Sequence, residues 1–224
     1  SIGSNPPFVN NYARSGAVWG NKVYLYGDAA TSGFTGLWSF NMDTHAWVNE
    51  TPSGTAPPYT GIWAPAWVAD PDTGLLYLTG GATTAGGGNL ATVFVYDPAT
   101  NAWQAPLPNF TSVRDFHAAF IFTRPADGHK LLCVVGGVNS ASVSFTSNQC
   151  YDFTTAAWGA ENADVPALPA DWWAMGYAQK AHLGTQPQLW LVNGVVADEL
   201  SAATMYYDVN SGAWVNGGAS GTTA

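Results

Sequence analysis

Short apolar runs alternate with clusters of turn-forming residues along the whole chain. Four of the clearest runs cover residues 22–28, 75–81, 131–137 and 189–194, and each ends in a residue pair that contains Gly. The runs are rich in β-branched and aromatic residues and show no helical periodicity, which predicts β-strands. Because several runs are apolar on both faces, they indicate sheets that are covered from both sides.

An internal repeat organises these strands. Each copy ends in a short turn in which a hydroxyl residue stands three positions before a tryptophan, and these tryptophans are Trp47, Trp103, Trp158 and Trp214. Successive tryptophans are 55 or 56 positions apart, so four copies fill the 224-residue chain. Each copy supplies about four strands, and stacked four-stranded sheets form a propeller.

The repeated motif resembles the kelch repeat over nearly the whole chain. The second copy matches best, because it combines a glycine doublet, a Tyr-Asp pair and a Thr-x-x-Trp turn, at Gly80, Gly81, Tyr96, Asp97, Thr100 and Trp103. The first and fourth copies depart from the doublet, and the first also departs from the Tyr-Asp pair, with Gly27-Asp28, Asn193-Gly194 and Phe40-Asn41. Asn and Asp also tolerate left-handed backbone, so the fold prediction stands.

The resemblance implies an all-β, kelch-type β-propeller with four four-stranded blades in this chain. It implies a single domain over residues 1–224, with blades at approximately 14–50, 63–105, 116–160 and 172–216. In detail the chain is similar to secreted or surface kelch proteins of fungi. Kelch propellers usually have six or seven blades, so either four blades close a small ring here or a second chain or further blades complete it. Because an open arc would expose apolar sheet faces, we expect a homo-oligomer or completion by further blades.

The composition argues against a disordered, a nucleic-acid-binding or a membrane-inserted protein. The chain is 47% hydrophobic and 14% aromatic but only 9% charged, which is incompatible with intrinsic disorder. Its 6 Lys and Arg against 15 Asp and Glu give a net charge of −9, so we expect no nucleic-acid partner. Gly, Pro, Asn or Thr interrupts every apolar run, so we expect no membrane insertion.

Several features indicate an extracellular or cell-surface location. The chain begins at Ser1, which suggests a processed chain or an excised piece. Glycosylation sequons at Asn49 and Asn109 are expected in loops between blades. The repeat places Cys133 and Cys150 on neighbouring strands, where a disulfide is possible if their side chains face each other, and two buried free thiols are the alternative.

The recurring Trp and Tyr residues are interpreted as packing elements, and the Asp residues after the tyrosines as turn caps. Ligand binding is expected in loops that do not repeat. Their candidate residues pair aromatic rings with polar groups, as carbohydrate or peptide sites do, and are Tyr59, Trp63, Arg114, Asp115, His117, Asp171, Trp172 and Trp173. The alternative is a structural role, because kelch repeats often carry Arg and His near the first strand.

No catalytic residues can be assembled from the sequence. The histidines are scattered, no nucleophile elbow occurs, and we expect no metal and no cofactor. The leading hypothesis is a non-catalytic extracellular kelch module for protein or glycan binding or self-assembly. The alternative is a fragment of a secreted copper-radical oxidase of the galactose oxidase type, a class that the kelch resemblance implies and that uses two Tyr, two His and a Tyr-linked Cys.

Overall fold

The computed structural model describes residues 15–27, 35–84, 87–181 and 187–219, and all regular structure in these ranges is β-strand. The chain divides into two compact units, Ser1–Asp115 (unit 1) and Phe116–Ala224 (unit 2). The all-β prediction is confirmed. No helix long and apolar enough to cross a membrane occurs in the described ranges.

Unit 1 contains two main sheets. Sheet 1 is an antiparallel meander of four strands, β1 (Ala17–Trp19), β2 (Lys22–Tyr26), β3 (Leu37–Asn41) and β4 (Ala46–Glu50). Sheet 2 has five strands, β5 (Ser53–Gly54), β6 (Ala66–Ala69), β7 (Leu76–Thr79), β10 (Val93–Asp97) and β11 (Ala102–Trp103). Its spatial order is β5-β11-β10-β7-β6, and a hairpin of β8 (Ala82–Thr84) and β9 (Gly87–Asn89) extends from it.

Unit 2 repeats this plan. Sheet 3 is a meander of β12 (Ala118–Thr123), β13 (Lys130–Val135), β14 (Asn148–Asp152) and β15 (Ala157–Trp158). Sheet 4 is a meander of β17 (Gly176–Ala181), β18 (Pro187–Val192), β21 (Ala203–Asp208) and β22 (Ala213–Ala219). A small sheet is formed by β16 (Trp172–Trp173), β19 (Val195–Val196) and β20 (Glu199–Leu200).

The repeat tryptophans are packing residues, as the sequence pattern predicted. Each lies on the last strand of its sheet in chain order, directly opposite an aromatic residue on the strand before it. The ring centroids are 5.0 to 5.5 Å apart in the pairs Phe40–Trp47, Tyr96–Trp103, Tyr151–Trp158 and Tyr207–Trp214. Tilted aromatic pairs at this distance stabilise a sheet beyond the area that they bury.

The turn before each tryptophan is also repeated. A side-chain oxygen at the end of the third strand accepts a backbone N–H from two residues further on, at 2.8 to 3.0 Å, in Asn41, Asp97, Asp152 and Asp208. The residue two before each tryptophan has a positive φ, in His45, Asn101, Ala156 and Gly212. The predicted turn-capping role of the aspartates is therefore confirmed.

The glycine doublets require left-handed backbone at both positions. In sheet 2, Gly80 and Gly81 have φ of 54° and 88°. In sheet 4, Asn193 replaces the first glycine of the doublet and has a φ of 54°. This departure from the kelch doublet therefore keeps the left-handed backbone. Asp28, the corresponding departure in the first copy, lies outside the described residues, as does His182, one of the four scattered histidines.

Sheet 2 departs from the predicted four strands. The segment that leaves β4 runs parallel to β11 as a fifth strand, with Ser53 N–H donating to the carbonyl of Asn101 at 3.0 Å. A Cβ at Gly54 would lie 2.1 Å from the Trp103 carbonyl oxygen, so this close approach needs glycine. The parallel strand satisfies the edge of β11, which explains why a polar two-residue segment joins the sheet.

Each unit has its own apolar core. The core of unit 1 includes Tyr24, Trp67 and Tyr96, and the core of unit 2 includes Phe120, Phe122 and Tyr207. Cys133 and Cys150 face each other across β13 and β14 and form the predicted disulfide within the core of unit 2. The loop prediction for Asn49 is wrong, because this exposed residue lies in β4, where it pairs with Trp38, whereas Asn109 is exposed in a loop.

Candidate functional site

Three residues at one end of sheet 2 lie side by side on adjacent backbone segments. Trp63 and Ala82 exchange two backbone hydrogen bonds, each 2.8 Å long. Ala82 is in turn the partner of Asn89 across the β8–β9 hairpin. Directly opposed residues in antiparallel pairs share a face, so Trp63, Ala82 and Asn89 form one row, here called the unit 1 row.

The segment that ends unit 1 brings Asp115 to this row. Leu90 N–H donates to Gly81 O at 2.7 Å, and Gly81 N–H donates to Arg114 O at 2.9 Å. Arg114 N–H donates to Leu90 O at 3.1 Å and completes this backbone contact. A Cβ at Gly81 would lie 2.8 Å from the Trp63 carbonyl oxygen, so the second glycine of the doublet is what permits the close approach.

Asp115 is the electrostatic centre of the site. Its side chain is buried, with the residue only 4% exposed, and Oδ1 accepts no hydrogen bond from the described residues. Burial raises the pKa of the carboxyl to about 6, and the facing carboxamide of Asn89 partly opposes this rise. Neither polar atom of the Asn89 carboxamide makes a hydrogen bond of regular geometry within the described ranges. The site therefore holds a buried carboxyl and a buried carboxamide that face each other without a hydrogen bond of regular geometry.

Two other candidate residues of unit 1, Arg114 and Tyr59, make contacts that hold the fold together. Arg114 is fully buried, and its Nε donates to the carbonyl of Ser112 at 3.2 Å. The carbonyl of Tyr59 accepts the hydroxyl of Tyr26 at 2.9 Å, and the Tyr59 ring packs 6.5 Å from Phe94. These contacts anchor the loops on which Trp63 and Asp115 stand.

Unit 2 contains a row with the same backbone and different side chains. Trp173 pairs with Val195, and Val195 pairs with Leu200, in the places that Trp63, Ala82 and Asn89 take in unit 1. Ser201 N–H donates to Gly194 O at 2.9 Å, as Leu90 does to Gly81. The polar end of the unit 1 row is thus replaced by Leu200, which is 91% exposed.

The remaining candidates in unit 2 have structural neighbours. Trp172 is buried in the core of unit 2, and its Nε1 donates to the Asn193 carbonyl at 2.6 Å. Trp173 packs against the ring of Phe116 with the centroids 5.8 Å apart. His117 is buried next to the first residue of β12, and the backbone carbonyl of Asp171 accepts Ala197 N–H.

An ion cluster lies at the β12–β13 turn of unit 2. Arg124 pairs with Asp127, Asp152 and Asp164, and Asp152 also receives the ring of His129 at 2.7 Å. Arg124 lowers the pKa of Asp127 to about 2. The pKa of Asp152 is also lowered, because hydrogen bonds from His129 and from backbone N–H groups outweigh the opposing effect of burial. The sequence did not reveal this cluster, because Asp152 and Asp164 come from distant positions.

Within the described ranges, no three His, Cys, Asp or Glu side chains are placed so that they could hold a metal ion. Asn89 is a residue of the candidate site that the sequence analysis did not identify. It stands in a Gly-rich hairpin, and only the pairing with Ala82 and the return of Arg114 bring it to Asp115. Of the predicted candidates, the structure therefore brings Trp63 and Asp115 to one site and leaves the others in packing positions or in unit 2.

Comparisons with known proteins inform the fold alone. No protein-family model matches the chain, and no curated protein matches it. The solved structure of YjhT, which has a β-propeller-type fold, is similar with a TM-score of 0.70 and 17% sequence identity. The match covers 98% of this chain and 68% of that chain. The chain therefore has an all-β fold with a structural neighbour of propeller type.

Proposed function

We propose that the chain is a non-catalytic, kelch-type propeller module that binds a glycan through the unit 1 row and Asp115. The observation that carries the proposal is the buried Oδ1 of Asp115, which lies beside the carboxamide of Asn89 and accepts no hydrogen bond of regular geometry within the described ranges. A buried polar group without a partner costs free energy, so a site that keeps several is adapted to a ligand that supplies the missing bonds.

Glycan hydroxyl groups match this set of atoms. A hydroxyl donates one hydrogen bond and accepts others, whereas a carboxylate only accepts and a carboxamide does both. Neighbouring hydroxyls of a sugar therefore satisfy Asp115 and Asn89 together. Hydrogen bonds to an ionised acceptor are the stronger kind, so Asp115 is expected to contribute most of the polar affinity.

The kelch assignment and the extracellular location are parts of the same proposal. The repeat motif and the propeller-type neighbour support four blades in this chain. The disulfide is compatible with secretion, because such bonds persist in oxidising compartments. Asn49 and Asn109 are both exposed and are proposed as glycosylation sites, with Asn49 on the edge strand β4.

The alternatives receive less support from the described residues. Cys133 and Cys150 are joined to each other, which leaves neither for the Tyr cross-link that a copper-radical oxidase uses. Protein binding and self-assembly require a defined docking surface. The large apolar side chains that are exposed, such as Val18, Val143 and Leu200, lie on separate elements. Glycan binding is the function that the site geometry favours.

A glycan array followed by titration of the best hit tests this function. Asp115→Ala should weaken binding by tenfold or more, roughly the value of one charge-assisted hydrogen bond. Asp171→Ala is the control, because it removes the same charge from a residue of unit 2 that lies outside the site, and it should leave affinity unchanged. An array without any hit, or equal losses in both variants, would contradict the proposal.

A further inference from the structure

We infer that two copies of this chain associate head to tail, with an apolar face of sheet 1 in one copy packed on sheet 4 of the other. This inference goes beyond the proposed glycan binding and concerns a different part of the molecule. It depends on the exposure of one face of sheet 1, on what covers the equivalent faces inside both units, and on an exposed face of sheet 4.

The repeat distinguishes the two faces of each main sheet. The front face is defined here as the one that carries the aromatic–Trp pair, which is Tyr96 and Trp103 in sheet 2, and the back face is the other. In unit 1 the back of sheet 1 packs on the front of sheet 2. The ring centroids of Tyr24 and Tyr96 are 5.7 Å apart, and those of Tyr26 and Trp103 are 5.8 Å apart.

Unit 2 uses the same contact. On the back of sheet 3, the ring centroids of Phe120 and Phe122 lie 5.8 and 5.9 Å from that of Tyr207 on the front of sheet 4. The covered tyrosines, Tyr96 in unit 1 and Tyr207 in unit 2, are only 1% and 3% exposed. In both units, therefore, a back face covers the front face of the next sheet in the chain.

The front face of sheet 1 is apolar and remains partly exposed. Two rows of directly opposed residues cross it, which are Val18, Val23, Phe40 and Trp47, and Leu25 and Trp38. None of these six side chains is charged, Val18 is 54% exposed, and the other five are partly exposed. The most exposed apolar residues of the chain are scattered, but these six form one continuous surface on a single sheet. Inside both units, a back face covers the surface of this kind.

The back face of sheet 4 is a covering face that is itself partly exposed. Directly opposed residues form one row across its four strands, which is Ala178, Trp190, Tyr206 and Val215. The rings of Trp190 and Tyr206 stack with their centroids 4.6 Å apart. Ala178 is exposed and the other three are partly exposed. Counted from the aromatic–Trp pair, this row takes the place of the buried row on the back of sheet 3, which is Phe120, Cys133 and Cys150.

A second copy of the chain supplies the face that the front of sheet 1 lacks. The back of sheet 4 in that copy packs on the front of sheet 1 as back faces pack on front faces inside each unit. No charged residue stands in either set of rows, so the contact buries apolar surface without desolvating a charge. Because it joins two different surfaces, the association is head to tail.

The experiment places a charge on one face at a time. Val18→Lys changes the front of sheet 1 and Ala178→Lys the back of sheet 4, both at exposed positions that accommodate a lysine in the folded chain. Val143→Lys is the matched control, because Val143 is 52% exposed and lies in the loop between β13 and β14. All proteins, including the parent, carry Asn49→Gln, because Asn49 lies opposite Trp38 and a glycan there would border the front face.

Sedimentation equilibrium over a wide range of concentration measures the association. The parent and Val143→Lys should self-associate, and Val18→Lys and Ala178→Lys should each weaken association about tenfold or more. An equal mixture of these two weakened variants should form a heterodimer at least about tenfold tighter than either variant associates alone, because each supplies the intact face that the other lacks.

Three outcomes would overturn the inference. A parent protein that stays monomeric is one, and a loss of melting temperature in its Val18→Lys variant would then show that another segment of the same chain covers the face. Association that Val143→Lys weakens as much as Val18→Lys is the second. Association that Val18→Lys abolishes and Ala178→Lys leaves unchanged is the third, because it would mean that two copies of sheet 1 pack on each other.

The result is independent of glycan binding. The faces of sheets 1 and 4 do not include Asp115 or Asn89, so Val18→Lys should bind the glycan array as the unchanged protein does. An array without hits would remove the proposed function and leave the association standing. A monomeric parent that binds glycans would do the reverse.

Discussion

Units 1 and 2 use the same backbone for different purposes at their loop ends. In unit 1 the row ends in Asn89 beside the buried Asp115, and in unit 2 it ends in the exposed Leu200. The same hydrogen bonds hold both rows, since Leu90 and Ser201 donate to equivalent glycines. The repeat thus determines where the backbone goes, and a few substitutions give the two units different side chains at the same backbone positions.

The β6–β7 hairpin of unit 1 and the β12–β13 hairpin of unit 2 also share a backbone conformation and differ in their side-chain contacts. Asp70 and Arg124 occupy equivalent places, and each carbonyl accepts a glycine N–H four residues on, at 2.9 Å. Asp70 folds back on its own turn and accepts the hydroxyl of Thr73 at 2.7 Å. Arg124 instead reaches Asp152 and Asp164 outside the turn. Unit 2 therefore has an ion cluster and a disulfide in addition to the apolar core and turn caps that both units share.

Removing the disulfide should have the largest effect on stability and should be confined to unit 2. Cys133→Ala with Cys150→Ala opens a link between residues 17 positions apart, which is worth about 3 kcal/mol of unfolding free energy. Urea unfolding with hydrogen exchange resolved by peptide measures it. Reductant should destabilise only the unchanged protein. Equal loss of protection in both units would contradict the separate stabilisation of unit 2.

Replacing Asp115 should instead stabilise unit 1. The pKa of the carboxyl in the folded protein is about 6 against an ordinary value of 3.8, so the folded state holds the proton more tightly. Stability is therefore highest below about pH 4, falls as pH rises to about 6, and stays lower above that value. Asp115→Asn removes this loss and should raise the unfolding free energy at pH 7.5 by up to about 3 kcal/mol.

The pH dependence checks the cause of that gain. Thermal unfolding at pH 7.5 and at pH 4 should show that the advantage of Asp115→Asn shrinks at the lower pH. Asp171→Asn, in unit 2, should show no gain at either value. A destabilised Asp115→Asn protein at pH 7.5 would mean that the carboxylate has a structural partner.

Breaking the ion cluster should have a smaller effect, again in unit 2. Arg124→Gln leaves Asp152 and Asp164 without their cation and should cost about 1 kcal/mol at low salt, because the pairs are partly exposed. The lowered pKa values of Asp127 and Asp152 mean that the cluster stabilises the fold above about pH 4 and loses this effect as pH falls toward 2. Arg124→Gln should flatten the decline in melting temperature over that interval. A decline as steep as in the unchanged protein would exclude the cluster as its source.

The smallest effect is expected at the tip of the β19–β20 hairpin. Ala197 and Asp198 both have positive φ, 48° and 63°, as a two-residue type I′ turn requires. Asn and Gly adopt these conformations more readily, so Ala197→Asn with Asp198→Gly should stabilise by about 0.5–1 kcal/mol. Slower amide exchange in residues 195–200 measures this gain. Faster exchange there would show that another contact favours the original residues.

The repeat made the strands, the aromatic pairs and the turn caps predictable from sequence, because each recurs at a fixed position with its own chemical requirement. The disulfide followed from the same register. The role of Trp172 was not predictable, since neighbouring indoles differ only in which face of β16 they occupy. Asn89 was missed for a related reason, because its importance arises from a long-range backbone contact through Leu90 and Arg114. Non-local pairing of this kind leaves no pattern of hydrophobic residues.

The fifth strand of sheet 2 has a consequence for how such repeats can be rearranged. The repeat in the sequence begins near Trp63, but the outer strand of its sheet, β5, lies before it, at Ser53–Gly54. A copy excised at the sequence boundary would leave the backbone of β11 without its neighbour and open to pairing with other molecules. A transplanted or duplicated copy that starts at Thr51 would include β5 and so keep the edge of β11 paired. The structural repeat therefore begins earlier in the chain than the repeat in the sequence.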